Sequence, residues 1–325
     1  MNKPILITGG SGFIGTHLIS LLKSNGHTDI INVDIAPPKK PEHLGYWREC
    51  DIMNREALHH VFACLKPAQV IHLAARTDPD GRSLQDYAVN FEGTANVAAA
   101  VKRTVSIRSA IFTSTQYVVG PGQLPKDDYD FRPHTVYGES KVLSEKAVRN
   151  ANLSCTWTIV RPTNVWGSWH PRYAQEFWRV LKKGLYFHPG REPVKRSYAY
   201  VGNVVRQMQR ILESPPELVV GKVFYVGDRS IDLLDWVNAF SLELRGRKVR
   251  VVPRPLVRSL AAVGDAVIAM GGRFPLFSSR YRSMTEHYTT PMEATFAALG
   301  EPPIPWHQGV RETVAWLRTQ GTFWN

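Results

Sequence analysis

"KPILITGGSGFIGTHLI", residues 3–19, sets an apolar run against a cluster of glycines and then an apolar pattern of a different period. Ile5, Leu6 and Ile7 read as a buried strand, whereas Phe13, Ile14, Leu18, Ile19 and Leu22 recur at helical spacing, so Gly9 to Gly15 is a strand-to-helix turn. Gly10, Gly12 and Gly15 fit G-x-G-x-x-G, and Gly9 adds a fourth position where the backbone can curl and approach a ligand without a Cβ in the way. The helix that follows aims its free N–H groups and the positive end of its dipole at that gap, which suits a pyrophosphate. Alone, the pattern would also fit an ordinary glycine turn, so the surrounding sequence must decide.

A second strand, "DIINVDI", ends in Asp34, nineteen residues beyond Gly15. A carboxylate there accepts hydrogen bonds from both hydroxyls of an adenosine ribose and repels a 2′-phosphate. No arginine follows it directly, which favours NAD over NADP, with Lys39 and Lys40 as the counter-indication. A solvated or helix-capping aspartate is the plain alternative. Further on, strand-like runs alternate with helical patterns: a helix near "NREALHHVFACL", the strand "AQVIHLAA", a helix from Leu84 to about Thr104, the strand "SAIFTST", a helix from about Val136, and the strand "CTWTIVRP". This alternation predicts an α/β fold with a doubly wound parallel sheet of the Rossmann kind. "RSYAYVGNVVRQMQRILES" and "GKVFYVGD" read as later elements that return to the sheet. The expected organisation is a dinucleotide-binding domain over residues 1–165, completed by about 197–228, and a smaller C-terminal substrate-binding lobe over 229–325 with about 166–196.

The 325 residues carry 40 basic and 28 acidic side chains, a net charge of +12 that attracts phosphates of any origin. No zinc-finger spacing, RNP-type aromatic pattern or basic low-complexity tail accompanies the charge, so nucleic acid is not the expected partner. Cys50, Cys64 and Cys155 are odd in number and far apart, which predicts neither a disulfide framework nor a metal site. No charged-then-apolar leader precedes the first strand, and "PLVRSLAAVGDAVIAMGG" is interrupted by Arg258 and Asp265, so a cytoplasmic protein without an integral membrane segment is expected.

In doubly wound sheets ligands bind beyond the carboxyl ends of the strands. Past the third strand lie Leu73, Ala74, Ala75 and Arg76; past the fourth, Ser114 and Thr115; at the end of the fifth, Pro162 and then Asn164. Ala74 and Ala75 would let a cofactor lie against the backbone, or they merely permit close packing. Arg76 and Ser114 are candidate substrate contacts. In "YGESK", Tyr137 and Lys141 stand four apart on one helical face. A phenol is a poor base near neutral pH, but a nearby ammonium stabilises its phenolate, and a hydroxyl such as Thr115 or Ser114 can hold a reacting oxygen beside it. By itself Tyr-x-x-x-Lys is equally an aromatic stem packed beside a solvated lysine.

Together these residues resemble the extended short-chain dehydrogenase/reductases, and within them the NAD-dependent epimerase/dehydratase group that acts on nucleotide sugars. The resemblance rests on "TGGSGFIG", Asp34, "DI" at Asp51 and Ile52, "HLAA", "NFEGTANV" from Asn90, "TST" up to Thr115, "YGESK", "RPTNVWG" and "RSYAYVGNV", in the family's order over about the first 210 residues. It implies NAD as cofactor, with Asp51 at the adenine and Asn90 near the cofactor and supporting the active-site helix. Thr115, Tyr137 and Lys141 would be the catalytic trio. Asn164 and Arg196 would meet a substrate diphosphate, with Arg280 or Arg282 as a third contact. A homodimer is common in the resembled family and is expected here.

Sugar 4,6-dehydratases of that family carry an Asp-Glu pair after the strand-end Thr, whereas this chain has Gln116 and Tyr117. An amide has no proton to give, so dehydration is disfavoured. Hydride removal at a ring carbinol remains, either returned to the opposite face or kept on the cofactor. In "NVWGSWHPRY", Trp166, Trp169, His170 and Tyr173 could supply flat surfaces for a sugar or base, or form core. The segment "VVPRPLVRSLAAVGDAVIAMGGRFPLFSSRYRSM" also resembles members that oxidise a 3β-hydroxyl on sterols, where peripheral membrane contact is possible. A non-catalytic NAD sensor is the third reading, and the intact trio argues against it.

Overall fold

In the computed structural model, which describes residues 4–321, the opening apolar run is a fully buried strand, Ile5–Thr8 (β1). Burial on both sides is what a parallel sheet flanked by helices requires. The chain continues through helix Phe13–Ser24 (α1), strands Ile30–Asp34 (β2) and Trp47–Glu49 (β3), helix Arg55–Leu65 (α2), strand Gln69–His72 (β4), helix Thr94–Arg103 (α3) and strand Ser109–Thr113 (β5). Helix Val136–Asn150 (α4) leads to strands Thr156–Pro162 (β6) and Asn164–Trp166 (β7), then to helix Arg179–Lys182 (α5) and strands Phe187–Pro189 (β8), Lys195–Arg196 (β9) and Tyr198–Tyr200 (β10). Helices Val201–Glu213 (α6) and Pro216–Val219 (α7) precede strands Val223–Val226 (β11) and Ile231–Asp232 (β12), helix Leu233–Arg245 (α8) and strand Arg250–Val252 (β13). Helices Arg254–Ala269 (α9), Ser278–Thr285 (α10), Glu293–Leu299 (α11) and Trp306–Thr319 (α12) follow.

Seven strands form one parallel sheet in the order β11-β6-β5-β4-β1-β2-β3. The chain runs outward from β1 to β3 and then returns to the other side with β4, so the order reverses between β1 and β4. A crevice opens at the carboxyl ends of strands where the order reverses, and the glycine turn lies there. One face of the sheet packs on α2 and α3 through Leu58, Phe62, Val97 and Val101. The other face packs on α1 and α6, and its core runs on without a break into Trp178, Trp236 and Phe240, so the later elements share the sheet's hydrophobic core. Trp166 is fully buried there, its ring against Tyr200, Trp236 and Phe240, and offers no surface to a ligand.

Two elements differ from the sequence expectation. "AQVIHLAA" is strand only over Gln69–His72, because β1 turns away at Gly9; Leu73 N–H donates to Thr8 O at 2.9 Å as the ladder ends, and Leu73 to Ala75 are left on the rim. The helix expected from Leu84 is a tight turn at Gln85–Tyr87, a widened turn at Val89–Gly93 and then α3. At the widened turn the Asn90 carbonyl accepts the hydroxyls of both Thr94 and Ser144, so a side chain of α4 enters the helical ladder.

Helix α4 is fastened to β6 by a buried ion pair. Arg161 Nε and Nη2 donate to the two carboxylate oxygens of Glu145 at 2.8 and 2.9 Å, with both side chains 1% exposed, and the guanidinium also reaches Tyr225 Oη and Asp128 O. Removing one partner strands a buried charge, which costs about 3–5 kcal/mol. Glu145→Leu is therefore expected to lower stability by about that amount in urea unfolding. Glu145→Leu with Arg161→Met should recover only part of the loss, because Arg161 is then no longer buried alone but Arg149 and Lys141 still lose the carboxylate.

Candidate active site

The turn after β1 depends on its missing side chains. Gly9 has φ +74°, and a Cβ there would lie 2.5 Å from Ala74 N; a Cβ on Gly15 would lie 2.5 Å from Gly10 Cα. Gly12 precedes α1 in an extended conformation, so the first N–H groups of the helix face the crevice. Asp34 ends β2 beside them: its Oδ2 accepts Ser11 N–H at 3.0 Å and its Oδ1 accepts Ala36 N–H at 3.1 Å. Lys39 donates to Trp169 O at 3.2 Å yet stays near enough to feel the Asp34 charge, whereas Lys40 donates to Ser20 Oγ at 2.9 Å. Asp51 accepts Met53 N–H at 2.8 Å, and Ile52 is buried against the bare Cα of Gly93. Phe13 meets the His170 ring edge-on, with centroids 5.0 Å apart, and Ile14 is half-buried behind it. His17 Nε2–H donates to Ser168 O at 2.9 Å; burial pulls its pKa down to about 4, so the ring is neutral.

Helix α4 starts at Thr135, whose Oγ1 accepts Gly138 N–H at 2.9 Å. A Cβ on Gly138 would lie 2.4 Å from Tyr117 O. The bare Cα thus lets the helix rest directly on the chain that follows β5, and Tyr137 reaches the Thr115 hydroxyl. Burial raises the Tyr137 phenol above its ordinary pKa; the hydrogen bond from Thr115 and the charge of Arg172 act the other way. Lys141, one turn on and 2% exposed, is lowered by burial to about 8, opposed by Glu145. Among the described residues Lys141 Nζ has no hydrogen-bond or ion-pair partner. The sequence suggests an ammonium acting directly on the phenol; in the structure the influences that lower it come from Thr115 and Arg172, and Lys141 lies one helical turn on.

Around this trio, Ser114 Oγ is buried without a partner. Asn90 donates to Ser140 Oγ at 2.9 Å and to Arg76 O at 3.0 Å, tying α4 to the rim after β4. Beneath that rim the neutral His72 ring, lowered by burial to about 3, bridges Thr8 and Thr94. Asn164 Oδ1, just past Pro162, accepts the Tyr117 hydroxyl at 3.1 Å. Arg196 is 8% exposed, donates to Glu286 O at 3.2 Å, and lies over the rings of Tyr198 and Tyr288. Arg76 is held by Asp78 at 2.8 Å and by Asp86 O, over the Tyr87 ring. Arg280 and Arg282 are exposed on α10, with Arg280 donating to Pro275 O.

Three residues at this site have no strong sequence signal. Tyr117 packs edge-on to Tyr137, with centroids 6.2 Å apart. Tyr288 packs against Tyr117 and donates to Val119 O at 2.6 Å. Arg172, whose charge acts on both Tyr117 and Tyr137, sits between His170 and Tyr173, where the aromatic neighbours draw attention from it. Its place after β7, beyond a strand end, is the one clue in the sequence.

The arrangement can hold a dinucleotide and move a proton. The glycines let the turn pack tightly on Leu73, Ala74 and Asn32, which leaves the first N–H groups of α1 and the Asp34 carboxylate at the rim, with the Lys141 side chain buried nearby. These residues fit NAD. Among the described residues no group of three or more His, Cys, Asp or Glu could hold a metal ion.

The model of the NAD-dependent epimerase/dehydratase family matches residues 5–227. Among curated proteins, the chain is 29% identical over 214 residues, 63% of this chain and 62% of that one, to the N-acetyl-alpha-D-glucosaminyl-diphospho-ditrans,octacis-undecaprenol 4-epimerase of Escherichia coli O157:H7. It is 26% identical over 341 residues, 98% of both chains, to the decarboxylating sterol-4-alpha-carboxylate 3-dehydrogenase of Schizosaccharomyces pombe. Its fold matches a UDP-glucose 4-epimerase from Thermotoga maritima, solved with UDP-glucose, at a TM-score of 0.74 and 22% identity, over 98% of this chain and 99% of that one.

The lowered Lys141 carries a signed pH prediction. Its folded pKa of about 8 lies below the ordinary lysine value of 10.5, so between those values the unfolded chain holds the extra proton and stability rises with pH. Below pH 8 the folded protein bears the full cost of a buried ammonium. In cofactor-free protein, wild type is expected to gain up to about 3 kcal/mol relative to Lys141→Met from pH 8 to pH 10.5, read by urea unfolding.

Proposed function

The chain belongs to the NAD-dependent epimerase/dehydratase family, and on that premise we propose that it oxidises and re-reduces a carbinol of a nucleotide-diphosphate sugar, epimerising it through a keto intermediate. The observation that carries this reading is the nearness of the Thr115 hydroxyl to the Tyr137 phenol, with the buried Lys141 one turn on and the glycine turn at the ends of the same sheet's strands. Bound NAD supplies a hydride acceptor and donor at its nicotinamide ring. The chain's own residues handle the proton and the position of the sugar. Thr115 would hold the carbinol oxygen, Tyr137 would take its proton and later return it, and the Lys141 ammonium would favour the phenolate and help hold the cofactor. Arg172, Arg196 and Asn164 are assigned to the diphosphate, where two cations and an amide anchor one end of a substrate whose sugar must turn over. Gln116, with no proton to give, supports epimerisation over loss of water.

Two observations from relatives bear on the substrate. The E. coli relative's name places a 4-epimerase on a diphosphate-linked sugar, in line with this reading. The full-length alignment with the S. pombe sterol dehydrogenase supports a second one, net oxidation of a 3β-hydroxyl. Interconversion of two UDP-sugars without added cofactor supports the first; stoichiometric NADH from a hydroxysteroid supports the second. In either case Tyr137→Phe should lower turnover by about 10²–10⁴-fold while NAD binding stays near wild type. Wild-type turnover in that variant would overturn the assignment of the proton to Tyr137.

A further inference from the structure

The opposite end of the sheet from the glycine turn carries a groove of its own. Helix α2 ends at Leu65 just before β4, and α3 ends at Arg103 just before β5. The two connections run side by side: Ser106 Oγ donates to Pro67 O at 2.8 Å, and Arg108 N–H donates to Ala68 O at 2.8 Å. Between the last turns of α2 and α3 lies an open groove of about 530 Å³. That volume is in the range of sites for small organic ligands.

The groove is cationic. His59, Lys66 and Arg103 line it, and among the described residues no carboxylate does. His59 Nε2 is shielded from solvent and has no hydrogen-bond partner. Burial and the charges of Arg103 and Arg55 hold this imidazole below its ordinary pKa, with no acid acting against them. Basic residues at helix C-termini ordinarily serve the last carbonyls. Here those acceptors are taken: Phe62 O accepts Lys66 N–H at 3.0 Å, Ala100 O accepts the Thr104 hydroxyl at 2.8 Å, and Val101 O accepts Thr104 N–H at 3.2 Å. The Lys66 and Arg103 side chains make no hydrogen bond or ion pair among the described residues. Three nitrogen groups without an acceptor on one groove suit a doubly charged oxyanion. The rest of the wall is apolar: Phe62, Ala63 and Ala100 line it, and Val105 is fully exposed in the connection before β5.

We propose that this groove binds an organic phosphate, with the anion held by Arg103, Lys66 and His59 and an apolar or aromatic body laid against Phe62, Ala63 and Val105. Arg103 and Lys66 pair with the phosphate oxygens, and the imidazole nitrogen donates a further hydrogen bond. Burial of the apolar body adds what a bare phosphate lacks. The groove shares no residue with the cleft beyond β5, so this site stands or falls apart from the assignment of Tyr137.

The test is titration of the NAD-loaded full chain with phenyl phosphate, and separately with inorganic phosphate, at low salt and followed by phosphorus NMR. Wild type is expected to bind phenyl phosphate saturably and at least about tenfold more tightly than inorganic phosphate. Lys66→Gln with Arg103→Gln should weaken phenyl phosphate about tenfold or more with NAD retention unchanged. Should that pair release NAD, Val105→Glu, which sets a carboxylate on the wall at a fully exposed position, should weaken binding about as much and carries the same test. Arg196→Gln, in the cleft, should bind phenyl phosphate as wild type does. Absence of saturable binding, equal affinity for the two anions, or groove variants within about twofold of wild type would overturn the proposal. So would binding that Arg196→Gln abolishes and the groove variants keep, since the anion would then sit in the cleft.

Discussion

The approach of the Thr115 hydroxyl to the Tyr137 phenol organises the candidate site, and it exists because Gly138 carries no side chain. Any larger residue at 138 would meet the Tyr117 carbonyl and push α4 off the segment after β5. Thr115 and Tyr137 belong to different βα units. The contact therefore requires the parallel sheet to set β5 and α4 in register, and the Arg161–Glu145 pair holds α4 against β6 on its other side. Lys141 lies between these two attachments. Its burial is a cost the fold sustains in order to keep an ammonium in the cleft, as its lowered pKa reports.

The loop after β7 is tied to α1 and to the segment after β2. His17 of α1 bonds Ser168 O, Lys39 bonds Trp169 O, and the Trp169 ring packs on Trp316 of α12. Trp169 itself has φ +66°, a left-handed backbone that a bulky residue adopts only when its surroundings impose it. Here the imposition comes from contacts on both sides of the loop. Arg172, three residues on, is placed by the same loop, so the geometry that closes the dinucleotide crevice also sets a charge that acts on Tyr137.

What the sequence discloses divides along physical lines. The glycine turn, Asp34, the strand runs and Tyr137 with Lys141 are local patterns, and each forms the element its period predicts. The strand ends were less readable, because β4 stops where its neighbour β1 turns at Gly9, a fact of pairing rather than of propensity. The widened turn at Asn90 depends on Ser144, fifty-four residues away, and has no local signature. Tyr288 reaches Tyr117 across 171 positions, with its hydroxyl on Val119 O, and Trp166 belongs to the core through Trp236 and Phe240; only tertiary packing distinguishes such aromatics from ligand platforms. Arg76, a rim candidate by position, is engaged by Asp78 two residues on, which a reading of strand ends alone does not weigh.

The most direct test is the ionisation of one phenol, followed as the ultraviolet difference between wild type and Tyr137→Phe across pH. Without cofactor the phenol should titrate above the ordinary tyrosine range, as its burial dictates. With NAD bound, the cationic nicotinamide acts on the phenol together with whatever fraction of Lys141 is still protonated, and its pKa should fall by about two units or more, a fall that Lys141→Met makes smaller. A phenol that titrates at one pH with and without NAD, and with and without the ammonium, would contradict the assignment of Tyr137 and Lys141 to the chemistry.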